Sequence, residues 1–402
     1  ERQPIRGQYR GWEIVGPPPP AASGLHIAQM LNILETYDIA AMGFGTVETL
    51  HLLAEVLKIA FADRGEASGD PAFVKVPVER ILSKAYAAER RAGIDPARAK
   101  QWKGGLLEKE GADTTHLTVA DGKGNIVCTT QTINSLFGAR FIIPGTGMVP
   151  NDYMSNFDPR PGNALSIAPG KRVTTSMSPM IALRDGKARF ALGLPGGRKI
   201  FPAALQALLN MIDHGMTLQE AVEAPRIWTE GPFLEVEHGI PETVRNGLEA
   251  KGHKLVRMPT VSGGMNGIEL NDDGSMTGAA CWRADGTPIG LGGGLARAHR
   301  RQGLRRYQPG ASPHDLSPGA GRARAAFRRD DLFGRARRLQ AGPRLLHQCA
   351  GAHGHHGRAI DLLRRRQGGE CRRRAHGRLA RHALSWAAEF GAGVGKVGLA
   401  AC

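Results

Sequence analysis

Asp113-Thr114-Thr115-His116 stands where a long polar stretch gives way to alternating apolar and polar residues. A threonine hydroxyl is a weak nucleophile unless a base sits beside it. If the chain is cut before Thr114, the new α-amine, with an ordinary pKa of about 8, supplies that base from the same residue. A Thr-Thr-His tripeptide alone is more often a polar strand start, so the downstream residues decide the reading. They include Gln131-Thr132-Ile133-Asn134, Thr174-Thr175-Ser176-Met177-Ser178-Pro179 and Leu194-Pro195-Gly196-Gly197. Read singly, Thr132 is an ordinary strand residue and Pro-Gly-Gly a turn.

Other chemistries lack their signatures. The six histidines before the C-terminal tail, His26, His51, His116, His214, His238 and His253, show no ligand spacing such as His-Glu-x-x-His, so no metal is expected. His353, His355 and His356 could hold one adventitiously. Phosphate-loop and dinucleotide fingerprints are missing, Gly292-Gly293-Gly294 precedes no helix signal, and no Gly-x-Ser-x-Gly elbow is present. No cofactor is expected.

The elements that must position the threonine can be read from periodicity. Prolines at 17–20 break the chain, after which Ile27, Met30, Leu31 and Leu34 recur at helical spacing. A longer helix buries Leu50, Leu53, Ala54, Leu57 and Phe61 and leaves Glu48, Glu55 and Lys58 for solvent. Residues 67–113 read as polar, irregular, mobile connecting structure ending at Asp113. Three hairpins then alternate with helices: 117–128 around Asp121-Gly122-Lys123-Gly124-Asn125, 180–192 around Arg184-Asp185-Gly186-Lys187, and 268–281 around Asp272-Asp273-Gly274. A helix with Leu205, Leu208, Leu209 and Ile212 and a capping box at Thr217-Leu218-Gln219-Glu220, closed by Pro225, lie between. Strands in runs beside helices in runs predict layered α+β packing rather than a parallel βαβ repeat.

A net charge of +16 and a pI near 10.1 would suggest a nucleic-acid partner. All of that charge lies in residues 298–402, which hold 21 Arg, one Lys and six acidic residues, whereas residues 1–297 hold 31 of each sign. This tail has no sustained period and contains eight of the fourteen histidines, as expected from a shifted reading frame in a GC-rich gene. A nucleic-acid-binding protein is therefore only a remote alternative, weakened by the lack of interleaved aromatics, and nucleic acid is not an expected partner. Of the five cysteines only Cys128 and Cys281 precede the tail, so no disulfide framework is implied. No apolar run approaches the roughly 20 residues of a membrane span. The start at Glu1, without Met or a signal core, predicts that the true N-terminus lies upstream and leaves the compartment open between periplasm and cytoplasm.

In order and spacing these motifs resemble the gamma-glutamyltranspeptidase family. Gly16-Pro17-Pro18-Pro19 through Asn32-Ile33-Leu34-Glu35, Phe61-Ala62-Asp63-Arg64 and Asp70-Pro71-Ala72-Phe73-Val74-Lys75-Val76-Pro77 resemble the end of its large subunit, and the likeness spans residues 4–297. It implies a four-layer αββα sandwich of the N-terminal-nucleophile hydrolases, made as a precursor that cuts itself between Asp113 and Thr114. Residues 1–113 would be the last part of the large subunit and 114–297 the small one, joined as a heterodimer; 298–402 would be unstructured or out of frame. In this resemblance Thr114 is the nucleophile, Thr132 bonds it and its amine, and Gly196 and Gly197 form the oxyanion hole, where backbone N–H groups without a Cβ beside them approach a developing alkoxide closely. Asn134, Thr175 and Ser176 correspond to donor-pocket positions that bind the far end of the acyl group.

The departures concern specificity. Where the family's transpeptidases hold an acid for the α-ammonium of a glutamyl donor, this chain has Asn156, and Tyr153 replaces a smaller amide or acid. A neutral amide does not offset desolvation of an ammonium group, so an acyl chain that keeps a carboxylate but lacks the amine, such as glutaryl, is the better fit. The loop at 158–171 is shorter than the transpeptidase lid, which predicts a more open site. With Gly145-Thr146-Gly147-Met148 and Ser166-Ile167-Ala168-Pro169-Gly170-Lys171-Arg172, these features resemble the cephalosporin acylase branch. The expected activity is removal of glutaryl-type groups from cephalosporins through an acyl-threonine; the alternative is a gamma-glutamyltranspeptidase or glutathione hydrolase. The family's carboxylate-binding Arg is expected before Glu1, and Arg10, Arg64 and Arg140 read as solvated or structural.

Overall fold

The computed structural model describes residues 1–102, 111 and 113–290. The Arg-rich tail, its histidines and Gly292-Gly293-Gly294 lie outside the described residues. The chain opens on a hairpin that periodicity does not predict, β1 (Ile5–Tyr9) and β2 (Trp12–Gly16). It turns at Arg10-Gly11, both at positive φ, as a two-residue primed turn requires. Next come helices α1 (Ser23–Leu34), α2 (Ile39–Met42) and α3 (Val47–Ala67), the last capped by Thr46, whose hydroxyl accepts the Thr49 N–H. The stretch expected to be irregular and mobile contains two further helices, α4 (Val78–Leu82) and α5 (Lys84–Ala92). Their apolar faces are too short to show a period, and Ile81 and Tyr86 pack into a satellite cluster with Leu25 and Ala67.

The three expected hairpins are present. They are β3 (Asp113–Ala120) with β4 (Ile126–Asn134), β5 (Met180–Arg184) with β6 (Lys187–Gly193), and, later, β10 (Asn266–Leu270) with β11 (Met276–Ala280). Between them lie α6 (Ile200–Ile212) and α7 (Leu218–Glu223), the latter opened by the expected capping box. A small sheet of β7 (Ile227–Trp228), β8 (Leu234–Glu237) and β9 (Leu255–Met258), with α8 (Glu242–Ala250) crossing over between its parallel pair β8 and β9, completes the set.

Strands on both sides of Thr114 share one antiparallel sheet, in the order β1-β2-β5-β6-β10-β11. Its main core joins Tyr9, Ile14, Phe190 and Leu192 to α1, α3 and α6 through Ile27, Leu31, Leu57, Phe201 and Leu205. Leu192 points into that core, so by strand alternation Gly193 faces the other way. There the β3–β4 hairpin covers the sheet: a Cβ on Gly193 would come within 2.2 Å of His116 Cε1. Helices thus pack against one face of this sheet and the β3–β4 hairpin against the other. The outward face of the hairpin bears Leu117, Val119 and Val127, all exposed.

One expectation for α3 fails: Glu55 and Lys58 are buried, 0% and 3% exposed, rather than facing solvent. They pair with each other at 2.7 Å, and both bond the segment that ends at Trp102. Periodicity marks which positions could face water but not what later folds over them.

Three buried imidazoles tie stability to pH. Burial pushes the pKa of His26 and His116 down to about 4, and burial with nearby Lys58 pushes His253 down to about 3. From pH 6.5 downward the unfolded chain takes up protons that the folded chain refuses, so their stabilising contribution is full above that pH and lost as it falls. The slope approaches about 1.4 kcal/mol per pH unit for each group. Melting temperatures at pH 7 and pH 5 check this; we expect a clear drop, and equal values would contradict neutral burial.

Candidate active site

The β3–β4 hairpin fixes the geometry around Thr114 by register. Its five-residue turn is closed by the Asp121 carboxylate, which accepts the N–H groups of Lys123 and Asn125, with Gly124 at φ +83°. From there Ala120↔Ile126 leads in register to Thr114↔Thr132. Alternation then points Thr114, His116 and Thr118 with Cys128, Thr130 and Thr132 toward the large sheet. The register shifts between Asp113, opposite Asn134, and Thr114, opposite Thr132, which leaves Ile133 of β4 as the extra residue facing the bond at which the resemblance implies a cut.

Hydrogen bonds connect the two threonines to that bond. The Thr114 hydroxyl donates to Thr132 Oγ1 at 2.9 Å, and Thr132 Oγ1 donates to the Asp113 carbonyl at 2.9 Å. Thr132 also accepts the Asn134 N–H at 2.8 Å, made possible by Asn134 at φ +74°. The Asn134 side chain reaches back to accept the Gly111 N–H at 2.9 Å. His116 is no partner of Thr114: its ring nitrogens meet Thr130 and Thr118 at 2.8 and 3.0 Å, and burial keeps it neutral. Burial likewise raises the Cys128 thiol to about 12, which leaves it unreactive.

Asn134 also opens onto the expected donor pocket. Its amide donates to Asp152 Oδ1 at 3.0 Å and Ser155 Oγ at 3.2 Å, and its Oδ1 lies 3.3 Å from Asn156 Nδ2. Partial burial works to raise the Asp152 carboxyl, but the bonds from Ser135 and Asn134 outweigh it and hold it below the ordinary range. Asn156 is buried, and its Oδ1 has no donor among the described residues. Tyr153 and Asn156 bound a single 3-10 turn. From it Tyr153 Oη reaches Thr175 Oγ1 at 2.8 Å, while the Thr175 backbone bonds Pro20 and Ala22. Ser176 is fully buried beside it.

Gly196 and Gly197 lie just past β6 at its Gly193 end, against which His116 packs. No hydrogen bond joins them to the threonine pair, and neither glycine N–H meets an acceptor among the described residues. Gly196 at φ +141° admits no side chain, since a Cβ would sit 2.0 Å from Ser262 Oγ. Ser262 in turn donates to Pro195 O at 2.9 Å. Neither Ser262 nor Asp152 carries a sequence signal of its own: both act through neighbours distant in the chain. Arg10 and Arg64 are structural as expected, Arg10 paired with Asp213 at 2.5 Å and Arg64 buried between the rings of Phe61 and Phe201.

Residues 1–291 match the family model described as gamma-glutamyltranspeptidase. The chain is 67% identical over 300 residues to the acylase ACY 1 proenzyme of a Pseudomonas species, covering 75% of this chain and 54% of that one. It is 40% identical over 298 residues to the glutathione hydrolase proenzyme of Escherichia coli, covering 70% and 51%. Among solved structures, cephalosporin acylase from Bacillus halodurans superposes with a TM-score of 0.66 at 29% identity, over 73% of this chain and 53% of that one. The chain therefore spans about half the length of these relatives.

Proposed function

Since the chain belongs to the gamma-glutamyltranspeptidase family, we propose that it is the core of a self-cleaving N-terminal-threonine acylase with a four-layer αββα fold. The observation that carries the reading is the relay Thr114 Oγ1, Thr132 Oγ1, Asp113 O, each step 2.9 Å. In the precursor, Thr114 Oγ1 attacks the Asp113 carbonyl carbon as its proton passes to Thr132 and the Thr132 proton passes to the carbonyl oxygen. Collapse re-forms the C=O and breaks the C–N bond, the proton on the tetrahedral oxygen passing to the leaving Thr114 nitrogen, and leaves an ester on the Thr114 oxygen. Water hydrolyses the ester, freeing an Asp113 carboxylate, the Thr114 hydroxyl and its α-amine.

That amine then serves as base for attack on an external amide. The acyl group moves to Thr114 Oγ1, the leaving amine takes the proton, and water or a second amine resolves the ester. The unpaired N–H groups of Gly196 and Gly197 suit the negative charge on the tetrahedral oxygen. No step calls for a metal or cofactor.

Contacts across the cut support a heterodimer of the two products. β2 pairs with β5 along Trp12↔Arg184 to Val15↔Ile181, and Arg172 forks onto Asp70, holding that carboxyl well below the usual range. A single scission leaves this pairing whole.

For the acyl donor we favour glutaryl-type groups on a bulky amine such as a cephalosporin nucleus, in keeping with the names of the acylase relatives. Asn156 offers an ammonium group an oxygen but no charge, and a glutathione-hydrolase reading needs that charge. Asn156→Asp should therefore shift the ratio of γ-glutamyl to glutaryl anilide turnover by about tenfold toward γ-glutamyl, the worth of one charge-assisted bond. An unchanged ratio removes Asn156 from the pocket. The activity itself is tested by release of the amine from glutaryl anilide, which should require the fragment that begins at Thr114.

A further inference from the structure

The two glycines of the proposed oxyanion hole are held in different ways. A trans peptide is planar, so the carbonyl oxygen of one residue points opposite to the N–H of the next, and whatever fixes the oxygen aims the hydrogen. The Gly197 N–H shares its peptide with the Gly196 carbonyl, which accepts the Lys199 N–H at 3.2 Å in the short 3-10 turn that leads into α6. The Gly196 N–H shares its peptide with the Pro195 carbonyl, and among the described residues only Pro19-Pro20 is cis. That Pro195 oxygen is held from a loop 67 residues away. It accepts the Ser262 hydroxyl and the Gly263 N–H, both at 2.9 Å.

The loop approaches Pro195-Gly196 at close range. A Cβ on Gly263 would lie 2.6 Å from Pro195 Cγ, and one on Gly196 would lie 2.0 Å from Ser262 Oγ. Ser262 itself holds φ +67°, which is disfavoured for a residue with a Cβ and persists only where the surroundings impose it. Buried charges do so here. Glu237 accepts the Val261 N–H at 2.6 Å and the Arg226 N–H at 2.9 Å, and the Arg226 guanidinium donates to Gly263 O at 3.0 Å. Arg283, buried as well, donates to the same Glu237 carboxylate at 2.7 Å. The loop is thus fastened on both sides of Ser262, and Ser262 in turn fastens the Pro195 carbonyl.

We propose that Ser262 is a positioning residue for acyl transfer: by donating to the Pro195 carbonyl it aims the Gly196 N–H at the oxygen of the tetrahedral intermediate. This role rests on the acylase reading above, in which Gly196 and Gly197 receive that charge. A donor stabilises a developing charge best when it already points at the place where the charge will appear. Two donors on the carbonyl also polarise the peptide and strengthen its N–H. The substrate's neutral carbonyl gains less from such a donor than the charged intermediate does, so Ser262 should act on kcat rather than on KM. In self-cleavage Thr132 supplies the proton to the Asp113 oxygen, and that step does not call on Ser262.

Ser262→Ala and Ser262→Gly are compared with wild type for formation of the Thr114-first fragment, for kcat and KM of amine release from glutaryl anilide, and for melting temperature. Both variants lack the hydroxyl and keep the Gly263 N–H on Pro195. Glycine alone also relieves the positive φ, so Ser262→Gly should melt no lower than Ser262→Ala. The kcat should fall about tenfold in both, short of the roughly 10²- to 10³-fold that outright loss of a hole donor brings. KM should stay within about twofold and fragment formation at the wild-type rate. Wild-type kcat in either variant would overturn the role of Ser262 and leave the acylase reading standing. A change confined to KM would put the hydroxyl in substrate binding and overturn positioning. A wild-type enzyme that is cut at Thr114 yet releases no amine would overturn the acylase reading and the role of Ser262 with it.

Discussion

Thr114→Ala should leave a single uncut chain of 43.0 kDa with no amidase activity, under conditions in which the wild type yields a second N-terminus at Thr114. The substitution removes the attacking oxygen from both reactions, and no neighbour replaces it. His116 and Cys128 share the inner face of the hairpin, but the first is neutral and bonded at both nitrogens and the second is held as a thiol. Folding should survive, because the Thr114 hydroxyl makes one side-chain hydrogen bond, to Thr132, worth about 1 kcal/mol. Intact mass and circular dichroism together check this prediction. Two fragments from a folded Thr114→Ala chain would assign the cut to something else.

Thr132→Val carries the second largest effect. Valine keeps the shape and the strand preference but removes an oxygen that accepts from Thr114 and Asn134 and a proton that polarises the Asp113 carbonyl. Loss of a preorganised donor at a reacting carbonyl slows such steps by about 10²- to 10³-fold. The orphaned Asn134 N–H adds about 1–3 kcal/mol of destabilisation, which melting would register separately. Thr132→Ser restores the hydroxyl and should restore most of the rate. The half-time of fragment formation is the measurement, and a Thr132→Val value within twofold of wild type would exclude the relay.

The threonine pair is legible in sequence because a hairpin is local. Asp121, Gly124 and Asn125 specify the turn, and the turn sets the register that brings Thr114 opposite Thr132. The capping box at Thr217 and the strands around Asp185-Gly186 are legible for the same reason. Asn134 and Asn156 are recognisable from motif resemblance, but their contact and the orphaned Asn156 Oδ1 depend on a 22-residue loop closure that no local rule gives.

Features that pack from afar stay hidden. Glu55 and Lys58 satisfy every local criterion for a solvated helix face until Trp102 and Lys100 arrive from more than forty residues away. The first hairpin turns on Arg10-Gly11, which lacks the Asn-Gly or Asp-Gly signal that marks such turns. The convergence of His51 with His253 spans 202 residues and obeys no ligand spacing.

Intact mass and N-terminal sequencing of the purified chain test the central claim most directly. The account requires a fragment beginning Thr114-Thr115-His116-Leu117, formed by the chain alone and held to its partner fragment under native conditions. A chain that remains whole while folded, or one that is cut at another bond, contradicts it.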